Sequence, residues 1–457
     1  MDQDMKARNH ILKTTLIGAF WSAYSITSVN VAIPAIANEF SSSAAYTSWI
    51  ITSTLLVTAL FVLPIGKISD VYGRKKTLLA GSIIMTVTSL MCGLSQSINA
   101  MIIFRGLQGI GGAMMAATVI SIVTAAFPPT ERGKALGINI AFTYIGLSAS
   151  PFISGIIVNY LNWRGIYFLS IPLGILLTFM VIKIDKEWKL KEKIKIDWVG
   201  AIIYGAGILC IVWGLTNFNK STISKMIFIA GILIIIYFGY FEMKVKQPLL
   251  NVGTMKSNRV LIFSSLASLI NYSSTYAISY MMSLYLQYIK GLDPQYAGIV
   301  LLVQPSMQAL FSPVAGYASD KIEPQYVASA GMSIIAVSLF FVSRFDSETS
   351  FAFMLILLSL IGLGFALFSS PNTNSIMSSM DSKEYGVAAA ILTTSRTVGQ
   401  SFSMALTAMI ISIYLGNSII SADTSGLFIK SFRTTFFIFS IFCFIGIWAS
   451  MARGKRV

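Results

Sequence analysis

The sequence predicts an all-α membrane protein of 14 transmembrane helices, built as two six-helix bundles with two inserted helices between them. Three observations carry the fold class and the helix count, and a loop motif repeated after the tenth run carries the two-bundle arrangement. Hydrophobic residues make up 55% of the 457-residue chain and charged residues 11%, whereas a soluble domain carries about 25% charge. Apolar runs of about 20 residues, the length that crosses a bilayer's hydrocarbon core, recur from end to end. The basic residues gather in the short segments between those runs.

The runs lie near 11–34, 47–66, 77–95, 100–126, 135–159, 165–183, 198–216, 225–242, 259–288, 295–316, 325–343, 351–370, 386–414 and 431–452. Merging the weaker runs near 198–242 would give twelve or thirteen. With the N-terminus inside, most of the 33 Lys and Arg fall in cytoplasmic segments, as the positive-inside rule requires. An odd count would turn several basic loops outward. The charge pattern therefore favours an even count, a multi-pass protein of the cell membrane and two cytoplasmic termini. The first run is long enough to span and leads into a second, which reads as a retained helix, not a cleaved signal.

The net charge of +15 is spread through loops, which argues for membrane lipids and against nucleic acid as the partner. The densest basic loop, Lys183–Lys195, also carries Asp185, Glu187 and Glu192. It reads as a solvated topogenic loop, with anionic headgroup binding as the alternative. Cys92, Cys210 and Cys443 each sit inside an apolar run and form no CxxC pair, so they read as small hydrophobes. His10 is the single histidine. No metal site and no cofactor is expected.

Four motifs carry the functional reading. After the second run comes Gly66-Lys67-Ile68-Ser69-Asp70-Val71-Tyr72-Gly73-Arg74-Lys75-Lys76. Gly66 and Gly73 permit a tight turn and close helix approach. Asp70 can accept from helix-terminal amides or pair with a basic residue. The fourth run contains Arg105-Gly106-Leu107-Gln108-Gly109. Arg105, Gly109, Ala113 and Ala117 make a small-residue stripe behind a charge that costs about 2.5–3.5 kcal/mol at a helix centre. Arg105 lies toward the outer end, where snorkelling would reduce that cost. The fifth run sets Gly137, Gly146, Ser150-Pro151 and Ser154-Gly155 on adjacent small stripes. Gly316-Tyr317-Ala318-Ser319-Asp320-Lys321, after the tenth run, echoes the first loop as an internal repeat would.

The first loop resembles the signature G-x-x-x-D-x-x-G-R-[RK]-[RK] of the major facilitator superfamily. The fourth run is similar to its R-x-x-Q-G-x-G-x-A motif, and the fifth to the motif of its exporters, with serines at two glycine positions. Asn30-Val31-Ala32-Ile33-Pro34 and Ser395-Arg396-Thr397-Val398-Gly399 look like the fourteen-helix drug:proton antiporter branch. The resemblance implies bundles over 1–190 and 251–457, with two inserted helices over 191–250. It also implies that Gly66, Asp70, Gly73, Arg74 and Asp320 latch the two halves. Arg105, Gln108, Gly109, Gly146, Pro151, Gly155 and Arg396 would belong to the conformational switch. A role in proton transfer is attributed to the fourth-run motif, while a polar staple between helices explains Arg105 equally well.

The branch often carries a carboxylate five positions before the Asn-Val-Ala run, and here that position is Ser25. All 18 Asp and Glu fall in loops or at helix ends, Glu39, Asp70, Asp197, Glu242, Asp320 and Glu384 being nearest the membrane. A lipophilic polycation is thus the least expected substrate. Polar residues on single faces mark a candidate cavity: Tyr24, Ser25 and Asn30; Asn271 with Tyr272, Tyr276 and Tyr280 at four-residue spacing; Gln304 and Gln308; and Asn372. The leading expectation is a transporter, not an enzyme, that exports drug-like or amphipathic small molecules by alternating access with protons as coupling ion. The rival is a facilitator or symporter of a neutral or anionic metabolite.

Overall fold

A computed structural model describes residues 2–189, 196–250, 252–380 and 385–454. Every membrane pass is helical, because backbone polar groups in hydrocarbon must be satisfied within their own segment. The passes are α1 (Asp2–Thr27, continued by Val29–Glu39), α2 (Trp49–Tyr72), α3 (Arg74–Gly93), α4 (Ile98–Ala126), α5 (Pro129–Tyr160), α6 (Arg164–Ile182) and α7 (Trp198–Thr216). They continue with α8 (Thr222–Glu242), the interrupted α9 (Arg259–Thr275, Ile278–Leu284 and a π-helical turn Tyr285–Ile289), α10 (Pro294–Lys321), α11 (Pro324–Val342), α12 (Phe351–Ser378), α13 (Tyr385–Leu415) and α14 (Ser425–Ala452).

Among the described residues, 13 helices are long and apolar enough to cross a membrane. The fourteenth pass is α9, which crosses in pieces. Its break falls at Ala277, whose backbone N–H donates out of the helix to Ser403 Oγ at 3.2 Å. The expected single helix over 259–288 is therefore corrected to an interrupted one. Side-chain caps start several passes: the oxygens of Ser97, Asp197, Ser221, Asn258, Asp293 and Ser350 each accept from a backbone N–H in the first turn. Each such cap is worth about 1 kcal/mol.

Helices α1 to α6 pack among themselves, with α4 against α1, α2 and α3, and α6 against α1 and α3. The last six repeat the scheme, with α12 against α9, α10 and α11, and α14 against α9 and α11. The two sets meet along α5 with α10 and along α2 with α13. Helices α7 and α8 pair with each other at the side, where α7 touches α2 and α13.

The α5 interface uses its small residues for contact. A Cβ on Gly146 would stand 2.6 Å from the Phe20 carbonyl oxygen of α1, and one on Gly155 would stand 2.6 Å from the Pro294 carbonyl oxygen of α10. Gly298 of α10 abuts the Pro151 carbonyl in the same way. These are backbone-to-backbone approaches that only small residues allow.

Candidate functional site

Arg105 of α4 is the centre of the first polar cluster. It is 1% exposed. Its Nε donates to the Ile50 carbonyl of α2 at 3.1 Å, and Nη1 to the Ser25 carbonyl of α1 at 3.3 Å. Nη1 also donates to Gln108 Oε1 at 2.6 Å, and Gln108 Nε2 passes the chain on to Ser89 Oγ of α3 at 2.9 Å. Thr54 Oγ1 and Thr58 Oγ1 donate to the carbonyls of Arg105 and Gly109 at 2.9 and 3.1 Å. Arg105 thus does not snorkel. The backbone carbonyls of α1 and α2 solvate it where it stands, and bonds to a charged group are worth about 1.5–3 kcal/mol each. It staples four helices.

None of those partners is anionic, and among the described residues no carboxylate pairs with the buried charge. Around it, the hydroxyls of Ser25, Ser53, Tyr167 and Tyr276 are buried without a hydrogen-bond partner, while those of Tyr24 and Ser154 have each other within reach. Tyr167 and Tyr276 lie within electrostatic reach of the guanidinium. Asn30 donates through Nδ2 to Ser279 Oγ at 3.1 Å, yet its Oδ1 is unpartnered. Both amide atoms of Asn271 are unpartnered too. Each such group costs about 1–3 kcal/mol when nothing answers it.

The second cluster belongs to the last six helices. Arg396 of α13 donates to Thr373 Oγ1 of α12 at 2.8 Å and lies 5.5 Å from the Tyr272 ring centroid. Its Nε is buried and unpartnered. Tyr272 packs edge-on against Phe365, and Tyr144 of α5 reaches Ser369 Oγ at 3.3 Å. Asn372 Nδ2 donates to the Ser264 carbonyl of α9 at 3.1 Å and leaves its Oδ1 free. Gln308 is buried on α10, and Gln304 presents its carbonyl to Gly362 of α12. Among the described residues, neither Arg105 nor Arg396 forms an ion pair.

The three tyrosines of α9 do not share one wall. Because the helix breaks after Tyr276, Tyr280 turns away and donates to the Ala44 carbonyl at 3.1 Å. There it joins Gln287, which donates to the Val31 carbonyl at 3.1 Å, and Tyr288, which reaches Asn38 Oδ1 at 3.3 Å. With Asn30–Ser279, these bonds close the molecule toward the face opposite the chain ends.

On the face that carries the chain ends, a cavity of about 310 Å³ lies open between α2, α4, α13 and the segment after α8. Gly66, Lys67, Asp70 and Arg74 line one side, and Gln247–Leu250 another. Asp70 is paired within its own loop: Arg74 Nε and Nη2 bind Asp70 Oδ1 at 3.0 and 2.9 Å, and Nη1 donates to the Ser121 carbonyl at 2.9 Å. The first-turn amides of α3 go to Glu187 instead, which accepts from Lys75 and Lys76 at 2.9 and 3.2 Å. Gly73 takes φ +121° directly beneath that carboxylate. Gly66 meets nothing within 4 Å where a Cβ would stand, so the expected close helix approach there is corrected to an open cavity wall. The Asp320 side chain and Glu384 lie outside the described residues.

The sequence matches the description Major Facilitator Superfamily over residues 15–243 and 264–456. The chain belongs to the major facilitator superfamily. A riboflavin transporter of Clostridioides difficile is 29% identical over 449 residues, 97% of each chain. A tetracenomycin C resistance and export protein of Streptomyces glaucescens is 27% identical over 412 residues, 89% of this chain and 76% of its own. Among solved structures, an inward-facing, unoccupied bacterial homologue of the human lysosomal transporter Spinster gives a TM-score of 0.69 at 15% identity, over 98% of this chain and 97% of that one. A peptide transporter in complex with sulfate gives 0.71 at 14% identity, over 98% and 96%. At these identities the two structures speak for the fold alone. As a member of this superfamily the protein is a multi-pass membrane transporter of small molecules.

Tyr167 was not visible as a site residue in the sequence. It stands in the apolar sixth run, and only the fold brings it near Arg105.

Proposed function

We propose that the protein moves neutral or anionic amphipathic ring compounds across the cell membrane, with riboflavin the first solute to test. The observation that carries this is the pair of arginines within α4 and α13, one in each set of six helices, neither of which forms an ion pair among the described residues. Unpartnered phenols and amides surround them. Such a site attracts negative charge, offers aromatic faces, and supplies donors and acceptors to a heteroaromatic ring. The relative named a riboflavin transporter, matched over nearly its whole length, supports this chemistry.

The bodies 1–190 and 251–457 rock against each other, carrying 191–250 at the side, with both termini cytoplasmic. The described conformation is then open inward and sealed outward. Export is the direction supported by the backbone contacts of Gly146 and Gly155 and by relatives named for resistance and export. Protons are the coupling ion. The absence of a carboxylate beside Arg105 favours one alternative, uncoupled facilitated movement.

Inverted membrane vesicles containing the protein, supplied with riboflavin with and without an inward-acid pH gradient, separate these readings. Saturable uptake stimulated by the gradient is expected. Uptake indifferent to the gradient leaves facilitation, and uptake of lipophilic cations in preference to flavin overturns the substrate assignment.

A further inference from the structure

A second buried polar centre lies apart from the arginine clusters, where α7 and α8 reach the face carrying the chain ends. Asp197 caps α7, its Oδ1 accepting from the Gly200 N–H at 2.8 Å. Glu242 ends α8 and is 2% exposed. Its Oε2 accepts from the Leu250 N–H at 3.0 Å. The remaining oxygens, Asp197 Oδ2 and Glu242 Oε1, are both buried and meet no partner of ordinary hydrogen-bond geometry, though the Leu249 N–H also lies beside the Glu242 carboxylate and the two carboxyl groups lie within reach of each other. Both press on one point, since a Cβ added to Gly200 would collide with each of them. Gly200 is what lets the two helix ends come this close.

An ionised carboxylate is acceptor-only. Two such oxygens turned to one another in a buried place repel and leave both unsatisfied, unless a proton sits between them. The charged surroundings offer no substitute. Among the described residues, Asp197 is the charged group that acts on Glu242. Lys244 and Lys246 are exposed, and Lys244 lies over the Tyr240 ring at 4.3 Å. Across the cavity from α2 and α3 come Lys67, Asp70 and Arg74, the last two paired with each other. From α13, Val387 to Thr393 bring no charge. Lys195 lies outside the described residues.

We infer that Asp197 and Glu242 form a carboxyl–carboxylate pair that binds one proton, and that this proton holds the Gln247–Leu250 segment in place. The segment is a wall of the cavity beside the Asp70–Arg74 loop, and its Leu250 N–H is bonded to Glu242 itself. When the proton leaves, two like charges face each other across Gly200. The pair separates, Glu242 releases Leu250, and the wall loosens. The inserted helices thereby report proton occupancy to the opening between α2 and α13. This assignment does not depend on which solute the central site carries.

Two measurements on the purified, lipid-reconstituted full-length protein test it. Infrared spectroscopy at neutral pH should show a protonated carboxylic-acid carbonyl band that is lost in Glu242→Gln. Hydrogen exchange of the segment around Leu250, corrected for intrinsic rates, should lose about tenfold protection between mildly acidic and mildly alkaline pH. Glu242→Gln, which keeps an uncharged partner at every pH, should abolish that loss. If it does not fold, Asp197→Asn serves, with the same expectation. A wild-type spectrum without the band, or exchange in the variant that follows pH as the wild type does, overturns the assignment.

Discussion

Gly155 is where a side chain of two methyl groups tests the seal between α5 and α10. Its Cβ position stands 2.6 Å from the Pro294 carbonyl oxygen and 3.1 Å from Gln295 Cα. Both are backbone atoms, so no rotamer change relieves the clash. Overpacking of this kind costs about 1–3 kcal/mol. The strain falls on the conformation closed at the face opposite the chain ends, because a conformation open there parts α5 from α10. Gly155→Val should therefore shift the balance of the two conformations by about 5- to 150-fold toward the one open at that face. Tyr160 on α5 and Tyr296 on α10 are 70% and 59% exposed and flank the contact. Spin labels at these positions, read by double electron–electron resonance, should show a short distance in the parent and a growing long-distance population in Gly155→Val. An unchanged distribution would refute the view that the described conformation is sealed through this backbone contact.

Tyr276→Phe removes a buried hydroxyl that has no partner, so the melting temperature should hold or rise. If that hydroxyl serves the transported solute, KM should rise by about tenfold, the worth of one hydrogen bond. Glu187→Ala leaves the Lys75 and Lys76 amides at the start of α3 uncapped. It should lower stability by about 0.5–2 kcal/mol, seen as a reduced melting temperature in detergent. Arg105→Lys should abolish transport as fully as Arg105→Gln, because an ammonium cannot reach the Ile50 and Ser25 carbonyls and Gln108 from one fixed fork; vesicle uptake checks this.

What could be read in the sequence was local in the chain or summed over it. Hydrophobic run length and loop charge gave fourteen passes. Arg105 and Gln108 are three residues apart on one helix, and their pairing follows from that spacing. The failures are long-range. Ser403 takes the Ala277 amide from 126 residues away, so the four-residue spacing of Tyr272, Tyr276 and Tyr280 described one face of a helix that is not continuous. Arg105 was expected to reach for the interface, but the carbonyls that solvate it belong to α1 and α2. Glu187 read as one charge in a basic loop, and the fold uses it to cap α3, 112 residues earlier. Asp197 and Glu242 each read as a boundary acid, and only the packing of α7 on α8 makes them a pair.

The central claim is that the arginine-centred site carries neutral or anionic ring compounds. Equilibrium binding to the purified protein of three matched aromatic ligands, differing only in carrying an anionic, a neutral or a cationic substituent, tests it most directly. The anion and the neutral compound should bind at least about tenfold more tightly than the cation, a difference of about 1.4 kcal/mol, and Arg396→Gln should narrow the gap. Tightest binding of the cation would contradict it.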